Sequence, residues 1–90
     1  DNPCWVKDNL PEFEYMLVDL NEVSGKRNFR DMQLMSCAKH NIIGNSTYSW
    51  WAAWLNANQD KIVVGPKRFF NPINSFFSTC DIMCEDWISL

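Results

Sequence analysis

Ninety residues, 47% of them hydrophobic and 21% charged, exclude a disordered tail and fit one domain, residues 1–90. A net charge of −3 with no basic stripe excludes nucleic acid as the main partner, because phosphate binding needs clustered Lys and Arg. The longest apolar run, residues 50–55, is far short of the roughly 18–20 residues that a transmembrane segment requires.

The chain opens Asp1-Asn2-Pro3-Cys4, which reads as a start left by signal-peptide removal. Leu10, Phe13, Met16, Leu17 and Leu20 then recur at helical spacing, with Asp and Glu on the other face. Pro11 near the start and Gly25 past the end support a helix over 11–23. In residues 29–39 the apolar side chains scatter around the whole helical circumference, and strand alternation fits as well. Arg, Met, Gln, Leu, Ala and Lys tip that segment towards a buried helix.

Residues 47–58 present the same choice. Tyr48, Trp51, Ala52 and Leu55 fit a helix; Trp50 and Trp54 alternating with Trp51 and Leu55 fit a strand; the alanines favour helix. Gly65-Pro66 makes residues 61–70 an extended segment or loop. Asn71 as N-cap and Pro72 in the first turn open a helix over 72–87, with Ile73, Phe76, Phe77, Cys80, Met83, Cys84 and Trp87 on one stripe. The expected fold is all-α, a small disulfide-stapled bundle of about four helices. The alternative is α+β, two terminal helices packed on a short antiparallel meander from residues 29–70.

An even set of cysteines in a short chain (Cys4, Cys37, Cys80, Cys84) predicts two disulfides and therefore secretion. Cys80–Cys84 is disfavoured, since Cβ atoms four apart on a helix lie about 5–6 Å apart and a disulfide wants roughly 3.5–4.5 Å. Cys4–Cys84 with Cys37–Cys80 is preferred, the crossed pairing Cys4–Cys80 with Cys37–Cys84 stays open, and either contributes about 4 kcal/mol per bond in the chain-entropy model, so reduction should unfold the chain. A rival zinc site on Cys37, His40, Cys80 and Cys84 would leave Cys4 as an odd thiol, and no metal is assigned.

Catalysis finds little support in these residues. There is one histidine, and the Ser36/His40 pair lacks an orienting acid. Glu12, Glu14, Asp19, Glu22, Asp81, Glu85 and Asp86 read as solvated helix faces, and the three glycines form no phosphate loop. The expectation is a non-enzyme with no catalytic residue and no cofactor. Asn45-Ser46-Thr47 is a glycosylation sequon that makes Asn45 a candidate glycan site, while the dibasic pairs Lys26-Arg27 and Lys67-Arg68 read as surface residues.

Five Trp, two Tyr and six Phe exceed what so small an interior can hide. Tyr48, Trp50 and Trp54, with Lys67, Arg68, Phe69 and Phe70, form the expected partner-binding patch. These features predict a small secreted binding protein (a signalling ligand, a venom or salivary component, or a host-directed effector) that docks an extracellular protein partner. A lipid or hydrophobic-ligand binder is the alternative, and a homodimer joined through the Trp face is a third reading.

Overall fold

The computed structural model of the protein describes residues 3–10, 12, 14–18, 28–70 and 82–90. Among these, three helices and one small parallel sheet follow in the order α1 (Pro3–Asn9), α2 (Asn28–Ser36), β1 (Asn41–Ile42), α3 (Thr47–Leu55), β2 (Val63–Gly65) and β3 (Ile88–Ser89). The sheet order is β1-β2-β3, with Asn41 opposite Val63, Ile42 opposite Val64, Val64 opposite Ile88 and Gly65 opposite Ser89. Because β1 and β2 are parallel, the chain has to cross back between them, and α3 is that crossover.

Each element has a local cause. Val63 and Val64 are β-branched and suit a pleated, buried strand. Ser46 caps α3: its backbone is extended (φ −140, ψ 127) and its Oγ accepts from the Tyr48 amide at 3.2 Å. At the other end of α3, Lys61 Nζ donates to the carbonyls of Ala53 (2.9 Å) and Asn56 (2.7 Å), placing a cation where the helix dipole favours one. Ala52 and Ala53 are fully buried. Small side chains there let the helix backbone approach the strands, and Ile43, Ala53 and Val63 form the core with Trp50 and Trp87 packed on it. Helices α2 and α3 pack together, and the Met32 amide donates to Tyr48 Oη across them at 2.8 Å.

The N-terminal ends of the strands are joined by amide side chains. Asn41 and Asn56 are both buried. Asn56 Nδ2 donates to the Ala38 carbonyl (2.7 Å) and to Asn41 Oδ1 (2.8 Å), while Asn41 Nδ2 donates to the Met35 carbonyl at the end of α2 (2.8 Å). The Asn58 amide donates to Asn56 Oδ1 at 2.9 Å, and the Ile62 amide donates to His40 Nδ1 at 3.0 Å. Buried polar groups are thus satisfied, as their desolvation demands.

Several expectations are corrected. Neither the all-α bundle nor the antiparallel meander is found, since helices are mixed with strands that pair in parallel. Of the helix over 11–23, residues 14–18 are irregular and the rest, apart from residue 12, lies outside the described residues. Met16, on the expected stripe, is 87% exposed, and periodicity without packing does not hold a helix. Of the helix over 72–87, residues 72–81 lie outside the described residues and residues 82–87 form turns. Their apolar side chains are anchored singly: Met83 lies against Gly65, where an added Cβ would meet its Cε at 2.9 Å, and the Trp87 ring lies 5.6 Å from that of Trp50.

The disulfide framework is also overturned, because Cys4, Cys37 and Cys84 are free thiols. Reduction therefore has no bond to break at these three positions; Cys80 lies outside the described residues. Burial pushes the Cys84 thiol above its ordinary pKa, opposed by the charge of Lys61 and reinforced by Asp86. A raised pKa lowers the thiolate fraction at neutral pH, and the thiolate is the reacting species. Alkylation at pH 7 followed by peptide mass mapping should label exposed Cys4 and Cys37 before Cys84. The gap should narrow as pH rises above the ordinary thiol range. Unlabelled Cys4 and Cys37 in native, unreduced protein would restore the disulfide framework.

Candidate functional site

Parallel strands deliver the loops that follow them to one edge of the sheet, which is where open α/β sheets bind ligands. Here that edge receives residues 43–46 after β1, residues 66–70 after β2, and Leu90 after β3. The Leu90 amide donates to the Gly65 carbonyl at 2.9 Å and the Lys67 amide to the Leu90 carbonyl at 2.6 Å, so the sheet pairing carries on into the loops.

The loop after β1 leads directly into α3. Gly44, Asn45, Ser46 and Thr47 are all exposed, and a Cβ on Gly44 would meet no atom within 4 Å, so the turn is open. A helix leaves its first amides without intrahelical partners, and its dipole places partial positive charge there. Ser46 satisfies one of these amides. Ser49 Oγ braces the turn by donating to the Ser46 carbonyl (3.0 Å) and, less closely, to the Gly44 carbonyl (3.3 Å).

Asn45 ties this loop to the next. Its Nδ2 donates to the carbonyls of Arg68 (2.6 Å) and Phe69 (2.9 Å). A glycan on Asn45, the expected glycan site, would take one of the two hydrogens used in these bonds. Lys67 and Arg68 are exposed on the tied loop. Phe69 is 7% exposed and meets Phe70 edge-on, with centroids 5.4 Å apart.

Beside the helix start lies a cleft of about 270 Å³ lined by Thr47, Trp50, Trp51, Phe69 and Ile82. Trp50 organises it. Its Nε1 donates to the Ile82 carbonyl at 2.8 Å, and its ring stacks on Trp54 (5.3 Å) and meets Trp51 edge-on (5.0 Å). The cleft is an apolar slot with the hydroxyl-bearing helix start at one side.

The seven residues expected in one patch therefore separate. Trp50 and Phe69 meet in the cleft, and Lys67 and Arg68 share the neighbouring loop with Phe70. Trp54 is half exposed behind Trp50, while Tyr48 is turned to α2 as a hydrogen-bond acceptor. Sequence reasoning missed Ser46 and Thr47. Their signal was present, as a short apolar run, a glycine and a Ser/Thr cap ahead of a helix. His40 lies at the opposite end of the sheet, and among the described residues no three His, Cys, Asp or Glu side chains converge as metal ligands. Likewise among the described residues, no helix is long and apolar enough to cross a membrane.

Comparison with known proteins gives this edge its context. The model of the family described as glycosyl transferase family 11 matches residues 1–90. The chain is similar to the O-antigen biosynthesis glycosyltransferase WbnK of Escherichia coli, 55% identical over 60 residues, which cover 67% of this chain and 18% of that protein. It is similar also to an alpha-1,2-colitosyltransferase of Escherichia coli, 35% identical over 92 residues, which cover 100% of this chain and 30% of that protein. The chain thus spans less than a third of the length of these relatives. No solved structure matches it.

These matches overturn the expectation of a secreted, non-enzymatic binding protein. A match to glycosyl transferase family 11 over residues 1–90, with glycosyltransferases as relatives, contradicts the non-enzymatic ligand, effector or lipid binder. The secreted, extracellular reading falls with it, since it rested on disulfides that Cys4, Cys37 and Cys84 do not form.

Proposed function

The chain belongs to glycosyl transferase family 11, and on that premise we propose that it forms the donor-binding part of a bacterial glycosyltransferase. The enzyme would move a sugar from a nucleoside diphosphate carrier to a hydroxyl of a growing O-antigen, in a 1,2 linkage like that in the name of the colitosyltransferase relative. One observation carries the reading. The Asn45 amide holds the loop bearing Lys67 and Arg68 against the turn that opens α3, at the carboxyl edge of a parallel sheet.

The chemistry asks for such an edge. As the acceptor oxygen bonds to the anomeric carbon, the bond from that carbon to the diphosphate oxygen breaks, and negative charge grows on the leaving nucleoside diphosphate. Preorganised amides at a helix start and nearby cations stabilise charge of that kind. Ser46, Thr47, Lys67 and Arg68 are placed to bind the diphosphate, and the apolar cleft beside Thr47 takes a flat or weakly polar portion of the donor. The three free thiols fit a reducing interior, where nucleotide-activated sugars are used.

Removing the cations tests the assignment. The double variant Lys67→Ala/Arg68→Ala should weaken nucleoside diphosphate binding by roughly ten- to a hundredfold, since charge-assisted hydrogen bonds contribute about 1.5–3 kcal/mol. Its thermal midpoint should stay near that of the wild type, because both side chains are exposed. Calorimetry with UDP, GDP, CDP and dTDP measures the affinity, and an unchanged affinity for the diphosphate that binds would remove these residues from the site.

A further inference from the structure

Beyond this reading, and resting on it, we infer that Asn45 is a positioning residue for donor binding, a clamp that sets the cation-bearing loop against the start of α3. The observation is geometric. One side-chain nitrogen, exposed on the turn after β1, donates to two successive carbonyls of the loop after β2, Arg68 at 2.6 Å and Phe69 at 2.9 Å. These residues stand 23 and 24 positions away in sequence, so the bonds report tertiary placement rather than a local turn preference.

The loop it holds carries unlike side chains on adjacent residues. Arg68 is exposed, whereas Phe69 is buried and lines the cleft. Fixing both carbonyls fixes the two peptides that flank Phe69, and so sets how Phe69 leaves the backbone and constrains Arg68 from its carboxyl side. The Lys67 amide, bonded to the Leu90 carbonyl, pins the loop on its other side. Without Asn45, the Arg68 and Phe69 carbonyls would lose the two bonds that tie them to the turn opening α3. Charge would remain at the edge while its placement would be lost, and misplacement of a binding group is enough to weaken a site severalfold or more.

Asn45 itself need not touch the ligand. Both hydrogens of its amide are used by the loop, so its role is exerted through Arg68 and Phe69. Aspartate at this position would present a carboxylate to two carbonyl oxygens and push the loops apart.

The test uses Asn45→Ala and Asn45→Asp in the full protein that carries this chain, with three readouts. Amide hydrogen exchange of residues 66–70 should rise about fivefold or more in Asn45→Ala while that of β2 stays unchanged. The affinity for whichever of UDP, GDP, CDP and dTDP the wild type binds should fall about tenfold in Asn45→Ala and further in Asn45→Asp. In turnover, KM for the donor should rise more than kcat falls, a split that a general loss of stability would not produce.

Unchanged exchange in residues 66–70 would overturn the clamp whatever the ligand does. Raised exchange with unchanged affinity and KM would overturn the positioning role and leave the donor site standing. A wild-type protein that binds none of the four diphosphates would overturn the donor-site reading itself, and this inference with it.

Discussion

Replacing Trp50 by alanine should destabilise the protein by about 3–5 kcal/mol, the range for losing a large aromatic from a packed site. Trp50 packs on the Ile43, Ala53 and Val63 core and touches three other indoles. Through Nε1 it also holds the Ile82 carbonyl at 2.8 Å, which is the bond fastening the 82–87 turns to α3. Domains commonly have about 5–15 kcal/mol in all, so the loss would be a large share. Trp50→Phe keeps a ring but not the N–H, and should cost less than the alanine variant. Denaturant unfolding reads both. A loss below about 1 kcal/mol for Trp50→Ala would show that the core does not depend on this contact.

A second large effect is expected at Asn56. Alanine there removes the donor from the Ala38 carbonyl and Asn41 Oδ1 and the acceptor from the Asn58 amide. The site is 4% exposed, so water cannot readily replace these bonds. Each unsatisfied buried group costs about 1–3 kcal/mol, which puts Asn56→Ala at roughly 3–4 kcal/mol. Asn56→Asp should be no milder at neutral pH, since it sets a carboxylate against two oxygen acceptors. Thermal unfolding of both variants checks this. Near-wild-type stability in either would mean that the amide network contributes little. Because the network sits at the end of the sheet opposite the proposed site, residual folded protein should keep its affinity for nucleoside diphosphates.

What was legible in the sequence follows from the length of each signal. Both α2 and α3 fall within segments that residue propensity tipped towards helix, and Trp50 and Trp54 share a face as an i, i+4 pair must. The sheet was missed because its strands are two or three residues long, too short for a periodic pattern. Its trace was a different one. Ile42-Ile43-Gly44 and Ile62-Val63-Val64-Gly65 are short apolar runs ending in glycine on either side of a helical segment, the pattern of a βαβ unit.

Two further errors had physical roots. An even cysteine count suggests a disulfide framework, and the expectation of secretion depends on it. Three of the four are free, two of them exposed, so the count carried no information about redox compartment. The staple was also invoked because ninety residues alone make a marginal core. That premise treated the chain as having to stand by itself, whereas the matched region is under a third of each relative. The basic pair Lys67-Arg68 was rightly read as surface, but its position at the carboxyl edge of a parallel sheet could not be seen without the sheet.

This chain is proposed to carry the donor site of a glycosyltransferase. The most direct measurement incubates the full protein with UDP-, GDP-, CDP- and dTDP-linked sugars and an O-antigen oligosaccharide as acceptor, and follows release of the nucleoside diphosphate. Release from one carrier class is expected, with the same diphosphate inhibiting competitively and Lys67→Ala/Arg68→Ala losing most of the donor affinity. Release from none of the carriers, with no diphosphate bound at millimolar concentration, would contradict it.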